Sequence, residues 1–484
     1  MGARLAAVLV LATSAAVLVL EVLVVRLVAP FVGLTLETYT AAIGVALAAI
    51  AAGAALGGRF ADSSDPRAWL GPATALGGVL VLLARPVVLT LGDGFRGTGP
   101  VGTLVLVALA VGPAALVLSA VPPGVVKLRL RTLAETGVTV GRLSAIGTLG
   151  ALAGTFLTGF VLLSALPTSR LLLVTGLLLV AGGVVLTAVN VRTARRAAAG
   201  LAAAAVLAAG ALLAVDGPCD VETRYYCAAV ETDPERPTGR VLLLDGLRHS
   251  YVDLADPTYL EFAYTRRFGD VLAARPDGPL DVLHLGLGGG TMPRHLAAVR
   301  PGSRSTVLEV DPQLPDLDRE RLALRTGPDL RVVIGDARTR IAEQPDDGFD
   351  VVLGDAFGSI AVPWHLATAE MTAEARRVLR RGGTYAVNVI DNPPLAFARA
   401  YVATVGAVFD HVAVYASPQL LAGDDGGNVV VVASDEPLPL AVLDAAAAAR
   451  GERLADGAEF AGDAKVLTDD DAPVDQLLTP YRSR

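Results

Sequence analysis

A bundle of membrane-crossing helices followed by an α/β nucleotide-binding domain is the fold class this sequence predicts, and three observations predict it. The 484 residues are 53% hydrophobic and only 18% charged, with a mean hydropathy of +0.55, more apolar than an ordinary soluble domain. The apolar residues crowd the stretch before about residue 215, whereas most acidic residues follow it. Beyond that boundary the pattern changes to short apolar strands alternating with helical stretches, with glycines and acids at the strand ends.

The membrane half comes first. A bilayer core takes roughly 20 apolar residues in a helix. Runs of that length recur at 5–28, 38–58, 69–92, 101–121, 142–165, 169–190 and 198–215, which makes seven spans. A signal peptide is the alternative for the first run, but that run continues past Glu21 to Val28 with no polar cleavage region. Arg85-Pro86 predicts an irregular third span.

Basic residues cluster in alternate loops. Arg59 and Arg67 follow span two, Lys127, Arg129, Arg131 and Arg142 follow span four, and Arg192, Arg195 and Arg196 follow span six. Placing these clusters in the cytoplasm puts the whole C-terminal half outside. Cys219 and Cys227 lie just after the last span; outside they would form a disulfide, inside they would be two free thiols. Glu21 at mid-span suits either a proton or substrate site, as in a transporter, or a hydrogen-bonded structural acid. Gly53-x-x-x-Gly57 and Gly150-x-x-x-Gly154 are read as close helix packing.

In the second half, 240–246 reads as a strand and turn, 260–274 as an amphipathic helix, and 281–290 as a buried strand entering a glycine loop. Strands follow at 305–311, 331–336, 350–355 and 384–390, and helical segments between most of them predict a parallel sheet covered on both faces. Such sheets bind ligands at the carboxyl ends of their strands. Gly286, Gly288, Gly289 and Gly290 end the first core strand and let a ligand approach the backbone. Glu309 ends the second and can accept hydrogen bonds from ribose hydroxyls; Asp336 ends the third and Asp355 the fourth. That order suits a dinucleotide or S-adenosylmethionine. It lacks the Lys-Ser/Thr of a P-loop, so NTP hydrolysis is disfavoured.

The blocks LDGLRHSYVDL, HLGLGGGTMPR, VLEVD, GDAR, DVVLGDAF and VLTDDDAPVDQLL resemble the spermidine synthase-like domain of membrane proteins described as fused transporter/spermidine synthases. EVLVVRLVAPFVG, GAALGGRFAD and GRLSAIGTLGALAGTFLTG carry the same resemblance into the membrane half. The resemblance implies a small N-terminal β element and then a methyltransferase-like Rossmann domain. With it, the chain divides into 1–215, a helical membrane domain, 216–278, the β element and a connecting helix, and 279–484, the Rossmann domain.

The resemblance also implies an activity, transfer of an aminopropyl group from decarboxylated S-adenosylmethionine to putrescine or another amine. It makes Asp355 the catalytic residue. Gly286, Gly288, Gly290 and Thr291 would lie under the methionine portion, Glu309 on the ribose, and Asp336 with Ala337 on the adenine edge. His249, Tyr251 and Tyr264 would line the amine side.

Three departures from the family pattern stand out. Thr291 occupies the place of an aspartate in the GGGDG loop, Gly358 that of a second acid after Asp355, and Tyr264-Thr265-Arg266 that of a YHE motif. They fall on the parts that recognise cationic substrates, whereas the nucleoside-binding parts are retained.

Three functions compete: an aminopropyltransferase, an S-adenosylmethionine-dependent methyltransferase, and a non-catalytic transporter-like or sensor protein. The expected partners are a small amine and the lipid bilayer, and a homo-oligomer is compatible with the sequence. A net charge of −8 without a basic patch argues against nucleic acid. The five histidines have no metal-ligand spacing, so no metal site is predicted. Trp364 and His365 are read as a loop over the pocket, and 469–471 as a solvated acidic turn.

Overall fold

The computed structural model describes residues 1–34, 36–130, 132, 136–190, 195–215, 217–357 and 362–479. Arg131, Arg192, Asp216 and Gly358 lie outside the described residues, as do the side chains of Arg195 and Arg196. The chain divides into two compact units, Met1–Tyr226 and Cys227–Arg484.

The first unit holds seven helices long and apolar enough to cross a membrane: Ala3–Val32, Leu36–Ser63, Pro66–Phe95, Gly99–Arg129, Thr136–Leu162, Thr168–Val189 and Ala197–Ala214. Small residues let them approach closely. A Cβ on Gly150 or Gly154 would sit 2.4 or 2.6 Å from the backbone oxygens of Leu11 and Ala15 in the first helix. At Gly53 and Gly57 it would sit 2.3 and 2.4 Å from those of Leu116 and Ala120. The predicted break at Arg85-Pro86 is absent, and the helix runs unbroken from Pro66 to Leu91 with Pro72 and Pro86 inside it. Thr90 donates to the Pro86 carbonyl at 2.7 Å, and Arg85 donates to the carbonyls of Leu212 and Val215 at 2.6 and 2.7 Å. Glu21 is half-buried and makes no hydrogen bond or ion pair among the described residues. A two-residue strand, β1 (Val221–Glu222), lies near the end of this unit. Cys219 and Cys227 are disulfide-bonded, the first of the two alternatives the sequence left open.

The second unit opens with an antiparallel meander, β2 (Cys227–Thr232), β3 (Gly239–Leu244) and β4 (Leu247–Asp253). An amphipathic helix, Ala263–Ala273, leads into an eight-stranded sheet. Its strands are β5 (Asp281–Leu285), β6 (Arg304–Glu309), β7 (Leu330–Ile334), β8 (Phe349–Gly354), β9 (Leu379–Asp391), β10 (His411–Ala416), β11 (Gly427–Ser434) and β12 (Arg453–Asp456), in the order β12-β10-β11-β9-β8-β5-β6-β7. Val282, Leu283, Val351 and Val352 are wholly buried, so the central strands pack on both faces.

The expectation of a parallel sheet is corrected at one edge. The strands from β7 to β9 pair in parallel, but β11 is antiparallel to β9, and β10 is antiparallel to both β11 and β12. The reason is local. Residues 417–426 connect β10 to β11, and a parallel crossover needs about a dozen residues or more. The strand periodicity of β10 to β12 went unread in the sequence.

Candidate functional site

Parallel pairing of β7, β6, β5 and β8 brings the glycine loop, Glu309, Asp336 and Asp355 to one edge of the sheet. At Gly286 the backbone turns with φ +97°, and a Cβ there would lie 2.5 Å from the Asp355 carbonyl oxygen. Only a residue without a side chain lets the ends of β5 and β8 come so close. Gly290, at φ +70°, forms the left-handed cap from which helix Thr291–Val299 starts.

Glu309 pins this loop. Its Oε2 accepts from the Leu287 N–H at 2.9 Å and its Oε1 from the Asp311 N–H at 2.8 Å. Each oxygen keeps a lone pair for a further donor such as a ribose hydroxyl. The side chain is almost wholly buried, and burial raises its pKa to about 7 against the pull of those backbone donors. Asp318 was missed in the sequence. It is wholly buried, and neither carboxylate oxygen has a hydrogen-bond partner among the described residues. Burial, and then the charge of Glu309, push its pKa well above the usual range, which suits a neutral carboxyl.

Thr291 stands at the first position of its helix, yet its hydroxyl turns toward the β-meander. It donates to the Tyr251 carbonyl at 2.9 Å and lies 2.8 Å from the Ser250 hydroxyl. The side chain thus ties β4 to the glycine loop. Asp336 caps helix Ala337–Ile341 by accepting from the Arg338 N–H at 2.8 Å, and its other oxygen lies 3.0 Å from His365 Nε2. Ala337 beside it is buried, whereas Trp364 is exposed. In the acidic turn, Asp469 accepts from Arg338 and Thr368 at 2.5 and 2.8 Å, so it is paired.

Asp355 follows β8 directly. It is partly buried and accepts from Asn388 Nδ2 at 2.9 Å, and the Tyr264 hydroxyl is close enough to act on its ionisation. Burial raises its pKa to about 6, while Asn388 and Tyr264 pull the other way. The Tyr264 hydroxyl also lies 3.4 Å from the His249 carbonyl, so Tyr264, the His249 backbone and Asp355 meet. Burial lowers the His249 imidazole to about 4. Tyr251 does not join them, because its hydroxyl donates to Asp233 at 2.8 Å within the meander. Arg266 is exposed, with its guanidinium on the Leu260 carbonyl at 3.4 Å. Asn388 was quoted in the strand 384–390 but not recognised; a buried amide in an otherwise apolar central strand was the available signal.

A cleft of about 470 Å³ lies at the opposite end of the sheet, lined by Arg376, Arg377, Arg380 and Arg381. All four arginines are paired with acids, so it offers no free cation to a ligand. Among the described residues no group of three or more His, Cys, Asp or Glu could hold a metal.

The glycine loop, the buried acid that ends β6 and the acid after β8 lie together in a Rossmann-like domain of the methyltransferase type. A methyltransferase-domain family model matches residues 282–383, from β5 into β9. More particularly, the chain is similar to polyamine aminopropyltransferases. It is 30% identical to that of Vibrio vulnificus over 163 residues, 33% of this chain and 52% of that protein. It is 28% identical to that of Aeropyrum pernix over 185 residues, 37% of this chain and 57% of that protein. The chain thus spans about half the length of the curated relatives it matches. Among solved structures, a probable spermidine synthase from Corynebacterium glutamicum aligns with 55% of this chain and 100% of its own, at 28% identity and a TM-score of 0.49.

Proposed function

We propose that this chain is a membrane-bound aminopropyltransferase of the spermidine synthase type. Its substrates would be decarboxylated S-adenosylmethionine and a small amine, putrescine being the first to test. The observation that carries the reading is Asp355. A partly buried carboxylate, held by Asn388 beside Tyr264 and raised to about 6, sits beside the glycine loop and on the same sheet edge as Glu309.

The chemistry asks little of the protein. The amine nitrogen forms a bond to the carbon next to the sulfonium, the carbon–sulfur bond breaks, and methylthioadenosine leaves. The attacking nitrogen must be unprotonated and in line. Asp355, ionised above about pH 6, can hold the amine and take its proton. Glu309 would hold the ribose through its remaining lone pairs, Asp336 and Ala337 would border the adenine, and Gly286, Gly288 and Gly290 leave room for the methionine-derived chain. Tyr264 would border the amine.

A second reading rests on Thr291. Its hydroxyl is taken up by Ser250 and Tyr251, and it carries no charge for an aminopropyl ammonium. Ordinary S-adenosylmethionine brings its own carboxylate, which favours methyl transfer. Calorimetry on the full-length protein in detergent separates the two. Preference for the decarboxylated nucleoside, followed by putrescine turnover, supports the first; preference for the ordinary nucleoside supports the second. Binding of neither by folded protein overturns both, and leaves a transporter-like or sensor role.

We infer that the seven apolar helices span the membrane, with the basic loops in the cytoplasm. The disulfide of Cys219 and Cys227 supports an extracytoplasmic C-terminal unit.

A further inference from the structure

Behind Asp355 stands a row of two amides on adjacent strands. Asn388 on β9 donates through Nδ2 to Asp355 Oδ1 at 2.9 Å, and Asn428 on β11 donates through Nδ2 to Asn388 Oδ1 at 3.0 Å. In the antiparallel register Asn388 lies opposite Val430, so Asn428 is its diagonal neighbour on the same face. Asn388 is only 2% exposed, so bulk water has little access to replace either partner. The Asn428 backbone carbonyl accepts from Arg267 Nη1 at 2.6 Å, and Arg267 is ion-paired with Glu452.

An amide has one donor end and one acceptor end, and the row permits two self-consistent settings. In the setting observed, both donor ends point toward Asp355, which accepts, and this favours its ionised form. With both amides turned by half a rotation, the Asn388 carbonyl would face Asp355. A carboxylate there would be repelled, whereas a protonated Asp355 could donate. A mixed setting opposes two like ends within the protein and costs the desolvation of a buried polar group.

We propose that Asn428 is a positioning residue: by fixing which end of Asn388 faces Asp355, it holds Asp355 as a proton acceptor. This inference rests on the reading of Asp355 as the base. The titratable group facing Asp355 is Tyr264, from helix Ala263–Ala273. The charges behind Asn428, Arg267 and Glu452, are paired with each other, which leaves the amide row free to set the balance.

The test is an infrared titration of the full-length protein in detergent, without substrate. The Asp355 carboxyl signal is identified as the one lost in D355N. Asn428→Asp can only accept when ionised, so it should turn Asn388 and raise the Asp355 midpoint by about one pH unit. Asn428→Ala merely releases Asn388 and should raise it by roughly half as much. With Asn388→Leu as background, the row is cut and the two changes should give the same midpoint. An unmoved midpoint in both single variants, with an unchanged thermal transition showing that they fold, overturns the proposal. So does an N428D shift that persists in the N388L background, because it would then be charge acting through space. Should N388L fail to fold, N428A alone still decides. Because the titration needs no turnover, failure of the aminopropyltransferase reading would show separately, in the calorimetry.

Discussion

The Thr291 hydroxyl lies 2.8 Å from that of Ser250 and donates to the Tyr251 carbonyl at 2.9 Å, which makes it a tie between the β-meander and the glycine loop. Thr291→Val keeps the shape and removes both bonds. Each buried hydrogen bond is worth about 1 kcal/mol, so the variant should lose ~1–3 kcal/mol of stability. Nucleoside affinity should change by less than about threefold, roughly 0.6 kcal/mol. A tenfold or larger loss of affinity with unchanged stability would instead make Thr291 a ligand-binding residue.

Asp355→Asn should lower transfer by about 10²–10⁴-fold while leaving nucleoside binding within a few-fold, because a general base acts on the proton rather than on the nucleoside. In the wild-type protein kcat/KM, which reports the free enzyme's groups, should rise with pH through the Asp355 value of about 6. Loss of binding in parallel with loss of rate would argue that Asp355 holds the loop rather than the proton.

Much of this site was legible in the sequence. Glycines and acids at successive strand ends gave Gly286, Glu309, Asp336 and Asp355 an edge in common, because parallel strands place their carboxyl ends together. The side-chain directions were not legible. Thr291 turns into the meander and Tyr251 toward Asp233 because of cross-strand partners far away in sequence. Asn388 and Asn428 meet only through the antiparallel pairing of β9 and β11, and the strand that carries Asn428 went unread in the sequence.

On the proposed reading, Glu309 should make nucleoside binding pH-dependent. Its value of about 7 means that the ionised form, the better acceptor for ribose hydroxyls, grows in as pH rises through neutrality. Affinity measured by calorimetry should therefore increase from about pH 6 to about pH 8 and then level off. Glu309→Gln should weaken binding roughly tenfold at the upper end and flatten the profile. A profile that stays steep in the variant would assign the titration to another group.

The same two acids contribute to how stability responds to pH. An acid whose folded value lies above its unfolded one holds its proton more tightly when folded, so stability is lost as pH rises between the two values. For Asp355 that window runs from 3.8 to about 6, and for Glu309 from 4.5 to about 7. Between about pH 5 and about pH 8 each acid should remove on the order of 1–3 kcal/mol, whereas the imidazoles of His249, held at about 4 by burial, and His284 in β5, held at about 3, act in the opposite direction. Asp355→Asn should therefore lose less stability than the wild type on going from about pH 5 to about pH 8, and an identical change would mean that Asp355 ionises as freely in the folded protein as in the unfolded one.

The proposed side of the membrane rests on three features taken together. Seven spans are an odd number, so the two chain ends face opposite sides. The basic residues at 59, 67, 127, 129 and 142 lie near helix ends that border alternate connections, which by the positive-inside pattern would put those connections in the cytoplasm. Cys219 and Cys227 are bonded, and such a bond persists in an oxidising compartment. In intact cells treated with a reductant, a membrane-impermeant maleimide should therefore label both cysteines, and without reductant neither. Labelling only after lysis would place the C-terminal unit in the cytoplasm, where the nucleoside is made. Labelling in intact cells would instead require that the co-substrate be delivered outside. The same experiment thus decides whether the enzyme draws on the cell's own pool or needs a separate supply.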